Sequence, residues 1–218
     1  MTTIDITQPM IPNGMFAGSS AVTDCGVSSD EGQLLAELAQ SAVNGENVEI
    51  GSWIGISSVY IVKGLIAKGP EHTLHCIDPH SGSTLHRSNS KLTKSMGLDD
   101  TEGLWRENME RAGITDKTQL HRAKSEDVFP NWSYGRIGFL FIDGDHRYPA
   151  VSRDFLGWAP YLADGATVIF HDTDYVGPTR TIEELVIPSN AFAEQSGLRR
   201  VRVFKKRYAG ADQFEAAA

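Results

Sequence analysis

Cysteine is scarce in this chain of 218 residues: only Cys25 and Cys76 occur. Two thiols cannot staple a disulfide scaffold, and neither sits in a CxxC pair of the kind that holds zinc. Long apolar runs are missing as well. None approaches the roughly 18–20 residues that a membrane-spanning helix needs, so no membrane partner is expected. Positive charge is in deficit, with 20 Lys and Arg against 28 Asp and Glu and a net charge of -8. Nucleic acid, whose phosphates need a basic face, is therefore not an expected partner. The opening MTTIDITQPM lacks a basic segment followed by an apolar core, which makes a cytoplasmic location the expectation. What is present is apolar content, 40% of all residues, enough for one well-buried domain and short for two.

The first 29 residues are rich in Pro, Gly, Ser and Thr and carry no sustained period, so they read as an irregular arm or lid. Ser28-Ser29-Asp30-Glu31 suits a helix start, followed by Leu34, Leu35, Leu38, Ala39 and Ala42 at helical spacing. From there short apolar strands alternate with helices. Val48–Ile50 is a strand, Ile56–Ala67 a helix and Thr73–Ile77 a second strand. Residues 81–100 form a polar, Ser/Thr-rich loop, and long loops in compact domains are often functional. Gln119–Arg122 suits a third strand. Ile137–Ile142 (IGFLFI) and Ala166–Phe170 (ATVIF) are nearly continuous apolar runs, as expected of strands buried on both faces. Leu198–Tyr208 alternates like an edge strand, and residues 209–218 read as a disordered tail. The domain proper is thus expected over 30–208. The fold class is α/β, a Rossmann-like doubly wound, mostly parallel sheet with helices on both faces.

Ligands of such sheets sit at the carboxyl ends of the strands, and the chemistry-bearing residues of this chain fall there. Glu49-Ile50-Gly51 closes the first strand, Asp78 the second, Asp143 the fourth and His171-Asp172 the fifth. The turn Gly51-Ser52-Trp53-Ile54-Gly55 has Trp53 and Ile56 where a dinucleotide fingerprint needs glycines. A pyrophosphate could not approach that backbone, so the turn suits a nucleoside without a diphosphate. Asp78 is placed to accept both ribose hydroxyls, and Glu49 adds negative charge suited to a cationic ligand. The same residues also suit an ordinary strand-to-helix turn with surface carboxylates.

The segments VEIGSWIGISS, CIDP and FIDGDHRYPAVSRDFLGWAPYLADGATVIFHD resemble the class I S-adenosylmethionine-dependent methyltransferases. Within that class they are similar to the metal-dependent O-methyltransferases of the macrocin and mycinamicin sugar type, and more distantly to the catechol and caffeoyl-CoA type. The resemblance covers roughly residues 30–190. It implies a seven-stranded sheet with strand order 3-2-1-4-5, Gly51, Ser52 and Trp53 beneath the methionine part of the cofactor, and Asp78 on its ribose. It also places Ser125 and Glu126 beside the adenine.

If the fourth and fifth strands are neighbours, their ends lie about 4.8 Å apart. Asp143 and Asp172 can then reach one divalent cation, Mg²⁺ or Mn²⁺, since like charges at one edge repel unless something cationic lies between them. An Asp-Gly turn and a helix cap are the plainer reading of the same residues. His171 stands where the similar enzymes usually carry an acidic ligand, and imidazole tilts preference from Mg²⁺ toward Mn²⁺ or Fe²⁺. Strand alternation points 171 and 172 to opposite sides, which leaves His171 as a ligand or as a packed neighbour with Asp174 or Asp145 completing the site. His146, three residues after Asp143, matches the general-base histidine proposed for the sugar-type enzymes and titrates in a range suited to taking a hydroxyl proton. A surface histidine at a helix start is the alternative. His80 and His86 sit on the loop after Asp78, where they could face an acceptor.

The expected activity is methyl transfer from S-adenosylmethionine to a hydroxyl of a small molecule, sugar or catechol-like, of natural-product type. Asp143 and His146 carry the chemistry in that reading, and a homo-oligomer is compatible with it. The rival is a non-catalytic accessory protein of a biosynthetic pathway that binds S-adenosylmethionine or metal. An NAD-dependent oxidoreductase is disfavoured by Trp53.

Overall fold

The computed structural model describes residues 26–81 and 100–208. The expected arm before residue 26, residues 82–99 of the polar loop (His86 included) and the 209–218 tail lie outside the described residues.

Helix α1 (Ser29–Ser41) begins with a capping box in which Ser28 and Glu31 each take the other's backbone N–H. It is followed by β1 (Glu46–Ile50), α2 (Ile56–Lys68) and β2 (Leu74–Ile77). Next come α3 (Glu102–Arg111), β3 (Thr118–His121) and the one-turn α4 (Ser125–Val128). Then follow β4 (Ile137–Ile142), α5 (Tyr148–Trp158), β5 (Leu162–Phe170) and α6 (Val176–Thr181), which runs on into a π turn over Ile182–Val186. The hairpin of β6 (Phe192–Leu198) and β7 (Val201–Lys206) completes a seven-stranded sheet in the order β3-β2-β1-β4-β5-β7-β6. All pairings from β3 to β5 are parallel, and only those involving β7 are antiparallel. The mostly parallel Rossmann-like class and the strand order are as expected.

The chain's end differs from the sequence reading. Leu198–Tyr208 is not one edge strand: Arg199 adopts a left-handed turn (φ 53), and the segment divides between the end of β6 and β7. Val201, Val203 and Phe204 are buried because β7 is paired on both sides, whereas β6 is the true edge and is polar. A strand whose outer side faces water needs little apolar signal, so its sequence (FAEQSGL) gave no period to read.

Both faces of the sheet are covered. Leu35, Val59, Leu65, Trp105, Phe139 and Phe141 belong to one core, under α1, α2 and α3. Ile50, Leu140, Ile142, Phe155, Trp158 and Phe170 belong to the other, under α5. Helices α1 and α2 touch backbone to backbone at Gly64, where an added Cβ would come within 2.0 Å of the Ala36 carbonyl oxygen. This scaffold leaves the carboxyl ends of β1, β2, β4 and β5 open along one edge.

Candidate active site

A cavity of about 530 Å³ opens at that edge. Its walls include Gly51, Trp53, Asp78, Thr101, Ser125, Glu126, Asp143 and Asp154. Gly51 has φ 87, and a Cβ there would lie 2.2 Å from the Asp143 carbonyl oxygen. Only glycine lets β1 end so close to the end of β4. The Asp78 carboxylate holds the next turn: Oδ2 accepts the Trp53 N–H at 2.8 Å and Oδ1 the His80 N–H at 2.6 Å. A carboxylate has about four lone-pair sites, so two remain for a ligand. Ser125 accepts a hydrogen bond from the Trp158 indole at 2.8 Å, and Glu126 is paired with Arg153.

Two expected cofactor residues stand back from the cavity. Glu49 is fully buried, its oxygens taken by the Ser57 and Ser58 hydroxyls at 2.5 Å each, so it pins the start of α2. Ser52 is buried under the turn. Burial, opposed by the two serines and reinforced by Asp143, raises the Glu49 carboxyl to about 7. A raised carboxyl contributes stability that is complete below its unfolded pKa and is lost as pH climbs through about 7. Glu49→Gln should therefore raise the free energy of unfolding more at pH 8 than at pH 5, by at most about 3 kcal/mol at the higher pH. Equal shifts at the two pH values would show that Glu49 carries no such charge cost.

Beside the cavity, Asp143, His146 and Asp172 present ligand atoms all within 4.8 Å of one another. Asp143 belongs to both features. His146 Nε2 lies 3.5 Å from Asp143 Oδ1 and 3.2 Å from Asp172 Oδ2, and its side chain is only 10% exposed. It is no surface histidine. It stands on the loop between β4 and α5, its ring tilted against that of Tyr175 with centroids 5.1 Å apart. Burial opposes its protonation, but Asp143 and Asp172 raise its pKa above the ordinary histidine value.

His171 packs directly against that group without being one of its three converging members. Its Nδ1 lies 3.0 Å from Asp143 Oδ1 and 3.4 Å from Asp172 Oδ1, and its Nε2 lies 3.6 Å from Glu31 Oε2. With its side chain 1% exposed, burial favours the neutral ring, yet Asp143 and Glu31 lift its pKa to about 10. Asp172 follows directly but turns toward the same group, because its backbone is left-handed (φ 49) and breaks the strand alternation. Such a conformation costs a non-glycine residue on the order of 1–3 kcal/mol and gathers at functional sites. Asp145 is engaged by Arg147 on both oxygens, Asp174 is exposed, and neither joins the group. His80 is buried against Thr101, its Nδ1 2.9 Å from the hydroxyl.

Two residues of the site carry no local sequence signal. Arg200, in the β6–β7 turn, donates to Asp172 Oδ1 at 2.5 Å, and Glu31 in α1 lies 3.3 Å from its Nη2. Only the tertiary fold brings them there.

Residues 48–173 match a family model described as a methyltransferase domain. A catechol O-methyltransferase of Niastella koreensis is 24% identical over 168 residues, 73% of this chain and 65% of that protein. The chain thus spans about two thirds of that relative's length. Among solved structures, the O-methyltransferase NovP superposes with a TM-score of 0.66 at 17% identity, covering 81% of this chain and 80% of that one. An O-methyltransferase from Bacillus cereus, in complex with SAH, does so with a TM-score of 0.60 at 18% identity, covering 85% and 86%.

Proposed function

The chain belongs to the methyltransferase-domain family, and from that membership we propose that it moves the methyl group of S-adenosylmethionine to a hydroxyl of a small molecule. One observation carries the reading beyond the family: Asp143 is at once a wall of the nucleoside-sized cavity and a member of the acidic group beside it. A donor in the cavity and an acceptor at the group would meet at that residue.

In this reading Asp78 accepts the ribose hydroxyls, Gly51 leaves room for the methionine part, and Ser125 and Glu126 flank the adenine. The donor set of two carboxylates and an imidazole fits a divalent cation such as Mg²⁺ or Mn²⁺. Asp143 and Asp172 would hold it, and when bound it supplies Lewis acidity that lowers the acceptor hydroxyl's pKa. His146 Nε2 takes that hydroxyl's proton. The new O–CH₃ bond forms as the S–CH₃ bond breaks, and the sulfonium leaves as the neutral thioether of S-adenosylhomocysteine. His171, wedged between Asp143 and Glu31, serves as support in place of a ligand. Similarity to a catechol O-methyltransferase favours a vicinal diol as acceptor, catechol-like or sugar.

Calorimetry tests the cofactor. S-adenosylmethionine and S-adenosylhomocysteine should bind and NAD should not. Asp78→Ala should weaken binding by about 1–3 kcal/mol, the usual cost of losing charge-assisted hydrogen bonds. Tight NAD binding with no response to either sulfur nucleoside would overturn the proposal. Cofactor binding without turnover over a broad panel of diols would favour the accessory-protein reading.

A further inference from the structure

Glu31 is more deeply buried than a helix cap requires. Its Oε2 accepts the Ser28 N–H at 2.8 Å to close the capping box, yet caps sit where water reaches them and Glu31 is 0% exposed. Burying a carboxylate is costly unless cations compensate it. Two do. Oε2 lies 3.3 Å from Arg200 Nη2 and 3.6 Å from His171 Nε2.

Each of those cations continues to a different carboxylate of the acidic group. His171 Nδ1 lies 3.0 Å from Asp143 Oδ1, and Arg200 Nη1 donates to Asp172 Oδ1 at 2.5 Å. The Arg200 side chain is steadied further by the Gly26 carbonyl at 3.1 Å. One oxygen of each carboxylate is thus fixed from behind. Asp172 Oδ2 is left facing His146.

We propose that Glu31 is a positioning residue for a divalent cation, anchoring two arms, His171 and Arg200, that aim Asp143 and Asp172 at the ion. The inference rests on the reading of Asp143 and Asp172 as the cation's ligands.

Glu31→Gln isolates this role, because glutamine also closes a capping box. Mn²⁺ titration of the cofactor-free protein, followed by the electron paramagnetic resonance of the free ion, should show affinity 10–100-fold weaker, the range typical of lost outer partners of metal ligands. Affinity for S-adenosylhomocysteine should hardly move, while the unfolding temperature should fall because Arg200 and His171 lose a buried partner. Asp172→Asn should remove the Mn²⁺ site outright. If Asp172→Asn binds Mn²⁺ as the wild type does, the ligand reading fails and the role of Glu31 falls with it. If Asp172→Asn loses the ion while Glu31→Gln keeps wild-type affinity, only the positioning role is overturned. Arg200→Lys keeps the charge but cannot bridge Asp172, Glu31 and the Gly26 carbonyl at once. Should Glu31→Gln not fold, weaker Mn²⁺ binding by Arg200→Lys supports the proposal and unchanged binding refutes it.

Discussion

Asp172→Asn protein is expected to transfer methyl groups on the order of 10³-fold more slowly than the wild type while binding S-adenosylhomocysteine normally. Metal ions supply several kcal/mol of transition-state stabilisation, and each 1.36 kcal/mol is tenfold in rate. Asp172 does not line the cavity, so the cofactor should not register its loss. Asp143→Asn should slow transfer similarly, although it also strips His171 of its nearest partner. The two carboxylates respond to each other as a like-charged pair does. Burial, and then Asp143, push Asp172 above the ordinary carboxyl value. Asp143, despite its own burial, is held well below that value by His171 and His146. Asparagine keeps the shape and removes the charge. Exhaustive chelation of the wild type should reproduce the loss, and full single-turnover rates after chelation would take the metal out of the mechanism.

His146→Ala should cost on the order of 10²–10⁴-fold in single-turnover rate, the range for a positioned general base. The ring can accept a proton only when neutral. The wild-type rate should therefore rise with pH as the ring loses its proton, and the variant should lose the step. The loss should be smallest for an acidic acceptor such as a catechol and largest for a sugar. Because the Nε2 atom also converges with the two carboxylates, Mn²⁺ affinity separates base from ligand. Unchanged affinity with a slow rate assigns the base, whereas affinity lost with the rate makes His146 a ligand.

How much of this was legible in the sequence depended on how local each signal was. IGFLFI and ATVIF announced buried parallel strands because both their faces are covered. Gly51, Trp53 and Asp78 were legible because a turn's chemistry lies within a few residues. Glu49 was misjudged as facing the ligand: alternation along β1 sends it instead to the buried serines of α2. The sequence argument also set residues 171 and 172 on opposite sides, which the left-handed backbone at Asp172 overrides. Glu31 was visible only as a cap and Arg200 not at all, since their roles depend on residues up to 174 positions apart.

The reach of Arg200 from the last hairpin to the first helix also orders the events of synthesis. Among the described residues, every one on the cavity wall lies between residues 50 and 154. Asp172 and the arm that steadies it follow only later, at roughly 5–20 residues per second. A chain emerging from the ribosome therefore carries the cavity-wall residues before the residues that would aim an ion at the acceptor. In the order of synthesis the cavity wall comes first, and the link that ties the last hairpin to the first helix comes last.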